Sequence, residues 1–208
     1  MSLIVLCIVV FSLLLVTEWW ARRYGLQSEL SRKFIHITVG SIVAFLPLWL
    51  SWNQIRLLSL AFLVVVSLSK YLHIFRAIHS VTRPTWGEVY FAAAVGLTTF
   101  VTQNIWIYAV ALLHMSIADG LAAIIGVRYG RKNRYTVLGQ QKSLAGSAAF
   151  LFTSYVLLLS YSVTVQHIAW PLALVTAGAA TVLENVALRG LDNLIVPLFI
   201  AVVLRVLA

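Results

Sequence analysis

Long apolar segments follow one another along the whole chain and are separated by short polar connections. We predict eight such segments, at approximately 3–20, 34–51, 55–70, 87–102, 105–127, 143–161, 168–185 and 192–207. A helix that spans a membrane needs about 20 mainly apolar residues. The pattern therefore predicts an all-α, polytopic transmembrane bundle with about eight spans, or seven if residues 34–70 do not make two full crossings.

Composition agrees with a membrane protein that has no separate soluble domain. The chain is 62% hydrophobic and 10% charged, whereas soluble domains have roughly 25% charged residues. We treat residues 1–208 as one integral membrane domain. The first segment, 3–20, has no basic residue before it and no clear small-residue cleavage pattern after it. It is therefore predicted to be a retained helix, peripheral to the motif-bearing part 29–198.

Basic residues lie almost entirely in alternate connections between the predicted spans. Only Arg56 and Arg205 depart from this pattern among the 15 Lys and Arg residues. The others are Arg22, Arg23, Arg32, Lys33, Lys70, Arg76, Arg83, Arg128, Arg131, Lys132, Arg134, Lys142 and Arg189. The positive-inside rule places their side in the cytoplasm and both termini on the other side. The high pI then reflects topology, and no nucleic-acid partner is expected.

The acidic residues also collect on the predicted cytoplasmic side. The six are Glu18, Glu29, Glu88, Asp119, Glu184 and Asp192. Asp119 lies within an apolar span, where a charge costs about 2.5 kcal/mol or more. On a helix, Asp119 shares a face with Ala123, Gly126 and Gly130. Packing between helices explains the small residues but not the carboxylate, so we predict that Asp119 binds Mg²⁺ together with substrate phosphates.

A second motif, Lys142-Ser143, opens the sixth predicted span, with Gly146 and Ser147 in its first turn. A helix start beside a Lys favours an anion, and Arg128 belongs to the cationic stretch just before it. The alternative is a cytoplasmic basic loop followed by a helix that Ser143 caps. The short link to Asp119 favours a phosphate site.

Further polar residues lie at the ends of other predicted spans. Arg32 and His36 share a face at the start of the second span, where interfacial snorkelling is the simpler explanation for the cations. Glu88 begins the fourth span, where it is favourable to the helix dipole, whereas Glu184 lies at a helix end that disfavours an anion. A nearby metal or cation would stabilise Glu184, whereas Asp192 could simply cap the last helix.

These motifs together resemble the polyprenol kinase family, which includes dolichol kinases, phytol kinases and CTP-dependent diacylglycerol kinases. The matching pieces occur in family order across residues 29–198 and are Arg32-Lys33-Phe34-Ile35-His36, Gly87-Glu88, Ala118-Asp119-Gly120 with Gly126 and Gly130, Lys142-Ser143-Leu144-Ala145-Gly146-Ser147, and Glu184 followed by Leu191-Asp192-Asn193-Leu194-Ile195-Val196-Pro197. One position departs from the pattern, because Ala145 stands where many relatives have Glu.

The resemblance implies transfer of a phosphoryl group from a nucleoside triphosphate, often CTP, to the hydroxyl of an isoprenoid alcohol or diacylglycerol. It implies metal binding by Asp119 and Asp192 and catalytic roles for Asp119, Glu88, Glu184 and Lys142. The implied nucleotide and phosphate site consists of Arg32, Lys33, His36, Gly120, Gly126, Arg128, Gly130, Lys142, Ser143, Gly146, Ser147 and Asn193. The expected setting is a prokaryotic plasma membrane, with the active face in the cytoplasm.

Three alternatives remain open at this point. A cytidylyltransferase acting on a lipid phosphate would use similar carboxylates and cations. A transporter would use Asp119 as an ion site, although the ionisable residues collect on one face and do not cross the membrane. A structural membrane subunit would tolerate substitution of its carboxylates.

Overall fold

The computed structural model describes residues 29–72 and 86–208. The predicted span 3–20, the acidic Glu18 and the cations Arg22, Arg23, Arg76 and Arg83 lie outside these ranges, as do the side chains of Arg32 and Lys70. The described part is mainly helical, which confirms the predicted helical class. Its helices are α1 Glu29–Ala44, α2 Trp52–Leu72, α3 Gly87–Val101, α4 Ile105–Leu113, α5 Asp119–Tyr129, α6 Leu144–Thr164, α7 Trp170–Val186 and α8 Asp192–Leu207.

These helices coincide with the predicted apolar segments from 34–51 to 192–207. Helices α4 and α5 form one continuous rod, joined by a π-helical turn at His114–Ala118. Short 3-10 turns at Leu46–Leu48 and Gly130–Lys132 follow α1 and α5.

A β-hairpin occupies the segment that the sequence predicted only as a short cationic loop. Strand β1, Arg134–Val137, pairs antiparallel with β2, Gln140–Ser143. Leu138 and Gly139 at the tip have φ values of 48° and 77°, and two positive φ angles are typical of the two-residue turns that suit the twist of a hairpin.

Two stretches of the described part are long and apolar enough to cross a membrane, Ile105–Lys132 and Leu144–Thr164. Shorter apolar helices are Lys33–Leu48, Trp52–Leu68 and Gly87–Val101. Large apolar side chains project outward on α6 and α7, and Phe152, Val163 and Val175 are each at least two-thirds exposed. Exposed apolar surface of this kind favours membrane association. The span count and the orientation of the termini stay predictions.

The core consists of two apolar clusters that share α4. One packs α4 and α6 against α7 and α8, with alanines 173, 177 and 180 of α7 fully buried. The other packs the end of α1 against α2, α3 and α4 around Tyr108.

Helices α3 and α8 run in the same direction, since Asn193 bonds to Gly87 near their starts and Arg205 bonds to Val101 near their ends. The starts of α3 and α8 therefore lie at the same end of the bundle.

Candidate functional site

Asp119 follows directly after the π-helical turn and is 5% exposed. Single π-turns inside α-helices are often found at functional sites because they re-aim the side chains around them. The sequence analysis treated this region as a regular helix. In the structure, Asp119 lies near the middle of the long apolar rod and is buried within the helix bundle.

Helix α1 approaches the π-turn closely because glycines lie at the contact. A Cβ at Gly40 would lie 2.4 Å from the Cβ of Ser116, and one at Gly120 would lie 2.3 Å from Cγ1 of Ile37. Small residues allow helix backbones to come this near to each other. Gly120, which was predicted to contact nucleotide, therefore serves the packing of α1 on α5.

This close packing brings two basic side chains of α1 to the buried carboxylate. Lys33 Nζ lies 2.5 Å from Asp119 Oδ2, and Lys33 is itself 8% exposed. His36 Nε2 lies 3.7 Å from the same oxygen and 3.0 Å from the carbonyl oxygen of Met115. A buried charge is tolerated when it is paired, so Lys33 compensates Asp119.

A second ion pair lies at the end of α7. Lys142, at the base of the hairpin, forms a salt bridge with the Glu184 carboxylate and donates to the Glu184 carbonyl oxygen at 3.0 Å. Glu184 is 6% exposed. The ammonium group thus compensates an anion that the C-terminus of α7 disfavours.

The turn between α7 and α8 positions Asp192 and Asn193. Gly190 has a φ of 90°, and a Cβ there would lie 2.7 Å from Cα of Gly87. Only glycine satisfies both the positive φ and the close backbone contact. Asn193 then donates from Nδ2 to the Gly87 carbonyl oxygen at 3.1 Å, which holds the start of α8 against the start of α3.

Three carboxylates from three helices meet at this point. One ligand oxygen from each of Asp119, Glu184 and Asp192 lies within 4.8 Å of the others. With Lys33 and Lys142, the formal charge of the cluster is −1. Among the described residues, none forms a hydrogen bond or ion pair with the Asp192 carboxylate. Carboxylates this close repel one another strongly unless cations separate them.

The donor set fits a hard divalent cation. Mg²⁺ takes oxygen ligands, and proteins hold it through one or two carboxylates plus substrate phosphates. The buried oxygen Oδ1 of Asn193 has no hydrogen-bond partner, so an acceptor oxygen is available beside Asp192. Asp119 and Asp192, the predicted metal ligands, do come together, and Glu184 joins them.

The remaining predicted glycines lie between two helices. A Cβ at Gly146 would lie 2.9 Å from the Ala122 carbonyl oxygen and 3.4 Å from Cα of Gly126. A Cβ at Gly130 would lie 2.4 Å from Oγ of Ser143. Gly126, Gly130 and Gly146 therefore permit the crossing of α5 and α6, the packing role that the sequence also allowed. Ser143 caps α6 by accepting from the Gly146 amide at 3.1 Å, as predicted.

Other predicted residues lie apart from the cluster. Arg128 is exposed on α5, and its guanidinium group lies 5.6 Å from the centroid of the Tyr129 ring. Glu88 is half-buried in the first turn of α3, and no residue of the described ranges bonds to its carboxylate. The side chain of Arg32 is outside the described part. The structure favours Glu184 over Glu88 as the third carboxylate.

The sequence analysis missed a polar network beside Glu184. The Tyr135 hydroxyl donates to Asn185 Oδ1 at 2.5 Å and lies 2.5 Å from Ser147 Oγ. Ser147 also donates to Asn185 Oδ1, at 3.0 Å. Ser147 had been predicted to bind phosphate. Asn185 could have been identified from the sequence because it follows Glu184. The contact of Tyr135 with this network could be recognised only from the structure of the hairpin.

Comparison with known proteins gives two significant relatives. The chain is 34% identical to a phytol kinase of Synechocystis sp. over 82% of its own length and 76% of the relative's length. It is 28% identical to a protein of Oryza sativa subsp. japonica named "Probable phytol kinase 2, chloroplastic", over 91% of its own length and 70% of that protein's. The chain belongs to the polyprenol and phytol kinase family. No family model matches the chain, and no solved structure matches it significantly.

Proposed function

We propose that this protein is a membrane kinase that transfers the γ-phosphoryl group of a nucleoside triphosphate to the hydroxyl of an isoprenoid alcohol. The observation that carries the proposal is the meeting of Asp119, Glu184 and Asp192 with Lys33 and Lys142 inside an apolar helix bundle. The two relatives named phytol kinases indicate the type of acceptor. The reaction needs mainly alignment and neutralisation of phosphate charge, and this cluster would supply both once it holds a divalent cation.

The three carboxylates would hold Mg²⁺. Oδ1 of Asn193, the residue after Asp192, is a further buried oxygen without a hydrogen-bond partner. When bound, Mg²⁺ neutralises charge on the triphosphate. One oxygen of Asp119 is engaged by Lys33, and one oxygen of Glu184 by Lys142. The two lysines thereby fix the orientation of the carboxyl groups, and each carboxylate retains its second oxygen for the metal.

Lys142 can also bind phosphate. An ammonium group has three donors, and Glu184 occupies two of those of Lys142, through its carboxylate and its carbonyl oxygen. The third donor can bind a phosphate oxygen. Lys142 would thus link the nucleotide to the carboxylate cluster.

The lipid alcohol would approach through the apolar surface of the bundle. Exposed apolar side chains on α6 and α7 suit contact with acyl and isoprenoid chains. The distribution of basic residues supports a cytoplasmic active face, since the nucleotide arrives from that side. The proposed donor is CTP and the proposed setting a prokaryotic plasma membrane; both extend the family resemblance.

The test is a phosphoryl-transfer assay with purified protein in mixed micelles. The protein receives γ-labelled CTP or ATP, Mg²⁺, and in turn farnesol, geranylgeraniol, phytol, undecaprenol, dolichol or diacylglycerol. We expect label in an isoprenoid alcohol, release of CDP when CTP is the donor, and loss of transfer in Asp119→Asn.

Three outcomes would contradict parts of the proposal. Release of pyrophosphate with a lipid phosphate as acceptor would identify a cytidylyltransferase. Label in diacylglycerol alone would remove the isoprenoid acceptor. Absence of nucleotide binding by folded protein would favour a transporter or a structural subunit.

A further inference from the structure

The β-hairpin presents two neighbouring side chains to the end of α7. Tyr135 and Lys142 are directly paired across the strands, and directly opposed residues of an antiparallel pair lie on the same face. Lys142 binds Glu184, and Tyr135 binds Asn185, the next residue along α7. One cross-strand pair therefore contacts two consecutive residues of the helix that carries a cluster carboxylate.

The hairpin depends on these contacts for its position. An isolated two-stranded hairpin is marginal in water. Thr136 of β1, Gln141 of β2 and Gly139 of the turn are exposed. At its base, the amide of Leu144 donates to the Asn133 carbonyl oxygen at 3.0 Å. The half-buried Tyr135 network supplies the side-chain attachment of β1 to α6 and α7.

The anchor residue Asn185 is itself held on α7. Its Nδ2 donates to the Thr181 carbonyl oxygen at 2.9 Å, while its Oδ1 accepts from both Tyr135 and Ser147. The amide is thereby oriented from both ends. Removal of the Tyr135 hydroxyl would keep the aromatic ring of this residue but break the hydrogen bonds that attach β1 to Ser147 and Asn185.

We propose that Tyr135 is a positioning residue for phosphoryl transfer, which acts by anchoring the hairpin so that Lys142 stays paired with Glu184. The inference rests on the proposed function of the carboxylate cluster. Tyr135 does not bind the reacting groups in this scheme. Its effect passes through the position of Lys142, on the opposite strand.

The test compares Tyr135→Phe with the matched control Tyr129→Phe, whose tyrosine is 64% exposed near the same end of the bundle. We expect Tyr135→Phe to lower kcat about tenfold, the size of effect that one lost hydrogen bond can have. The KM for the alcohol should stay within about twofold, thermal unfolding should be little changed, and Tyr129→Phe should behave as the native protein.

A double-mutant cycle separates this role from a merely structural one. If Tyr135 acts through Lys142, the double variant Tyr135→Phe/Lys142→Gln should be about as slow as Lys142→Gln alone, because residues that act as one unit are not additive. Independent, multiplicative losses would overturn the inference. The inference would also be overturned if the apparent kcat fell only in proportion to the fraction of protein that is folded.

Two measurements keep the inference testable if no lipid is phosphorylated. Tryptic cleavage after Arg134 should become faster in Tyr135→Phe than in Tyr129→Phe, since it reports release of the hairpin. Mn²⁺ binding, followed by electron paramagnetic resonance, should weaken in the same variant. Failure of the proposed function with these effects intact would leave the anchoring role standing, whereas unchanged cleavage and Mn²⁺ binding would refute it.

Discussion

The two ends of the helix bundle use cations in different ways. At the carboxylate end, which contains Asp119, Glu184 and Asp192, Lys33 and Lys142 pair with buried anions. At the opposite end, cations bind neutral groups. Arg56 donates to Thr99 at both its hydroxyl (2.9 Å) and its carbonyl oxygen (3.1 Å), and Arg205 donates to the Val101 carbonyl oxygen at 2.6 Å.

The difference shows why a polar residue near the end of a membrane helix is weak evidence of function on its own. Helix C-termini leave carbonyl oxygens without intrahelical partners, and basic side chains satisfy them. Arg56 and Arg205 do this for the last turn of α3. At the carboxylate end the anions are buried side chains from separate helices, brought together at a desolvation cost that helix capping does not require.

The largest expected effect is that of Asp119→Asn. We expect a loss of transfer of about 1000-fold, equivalent to about 4 kcal/mol at the barrier, because a metal-binding carboxylate is removed. The substitution also leaves Lys33 buried without its carboxylate, so the free energy of unfolding should fall by about 3 kcal/mol.

The double variant Lys33→Met/Asp119→Asn separates these two effects. Replacing both members of a buried ion pair by uncharged groups is often neutral for stability, so thermal unfolding should return towards the native value while the activity stays lost. Recovery of activity together with stability would show that Asp119 has only a structural role.

The second prediction compares Glu184→Gln with Glu88→Gln. Glu184 belongs to the cluster, and we expect its substitution to lower kcat about 100-fold, or about 2.7 kcal/mol. Glu88 is outside the cluster, so Glu88→Gln should lower kcat by less than about threefold. Steady-state kinetics with the best alcohol measures both. Equal losses would return Glu88 to the catalytic set.

The third prediction compares Lys142, in β2 of the hairpin, with Lys132, in the 3-10 turn before β1. Lys142→Gln should lower kcat at least about tenfold, since Glu184 loses its paired ammonium group. It should also raise the KM for the nucleotide about tenfold, since a charge-assisted bond to phosphate is lost. Lys132 is exposed, and Lys132→Gln should change that KM less than about twofold. A similar change in both variants would mean that the nucleotide responds to the overall basic charge of this face.

The positions of the helices could be predicted because they depend on runs of apolar residues, which are local in sequence. The hairpin could not, because the residues that favour a strand, Tyr135, Thr136 and Val137, form only a short run, and the turn places Leu138 at a positive φ, which a leucine rarely adopts. The π-turn at His114–Ala118 has no local signal either. This turn directly precedes Asp119.

The members of the site could be predicted more fully than their roles. Asp119 and Asp192 were expected to bind metal together, and the structure brings them together. The choice between Glu88 and Glu184 could not be made from sequence, since it depends on the turn at Gly190 that places α8 beside α3 and α7. Gly126 and Gly146 could be read as ligand or packing residues until the crossing of α5 and α6 was known.

The smallest effect on activity should come from Arg56→Gln, the counterpart of Lys142→Gln at the opposite end. Arg56 donates three hydrogen bonds, to Thr99 and to Asn53 Oδ1 at 3.0 Å, and stacks 4.2 Å above the Phe100 ring centroid. Its partners are neutral and Arg56 itself is only half-buried, so the free energy of unfolding should fall by only about 1 kcal/mol. Thermal unfolding in detergent should therefore shift by a few degrees, while kcat and both KM values stay within twofold. If Arg56→Gln instead slowed transfer as Lys142→Gln does, the two ends would be coupled, and the chemistry could not be confined to the carboxylate end.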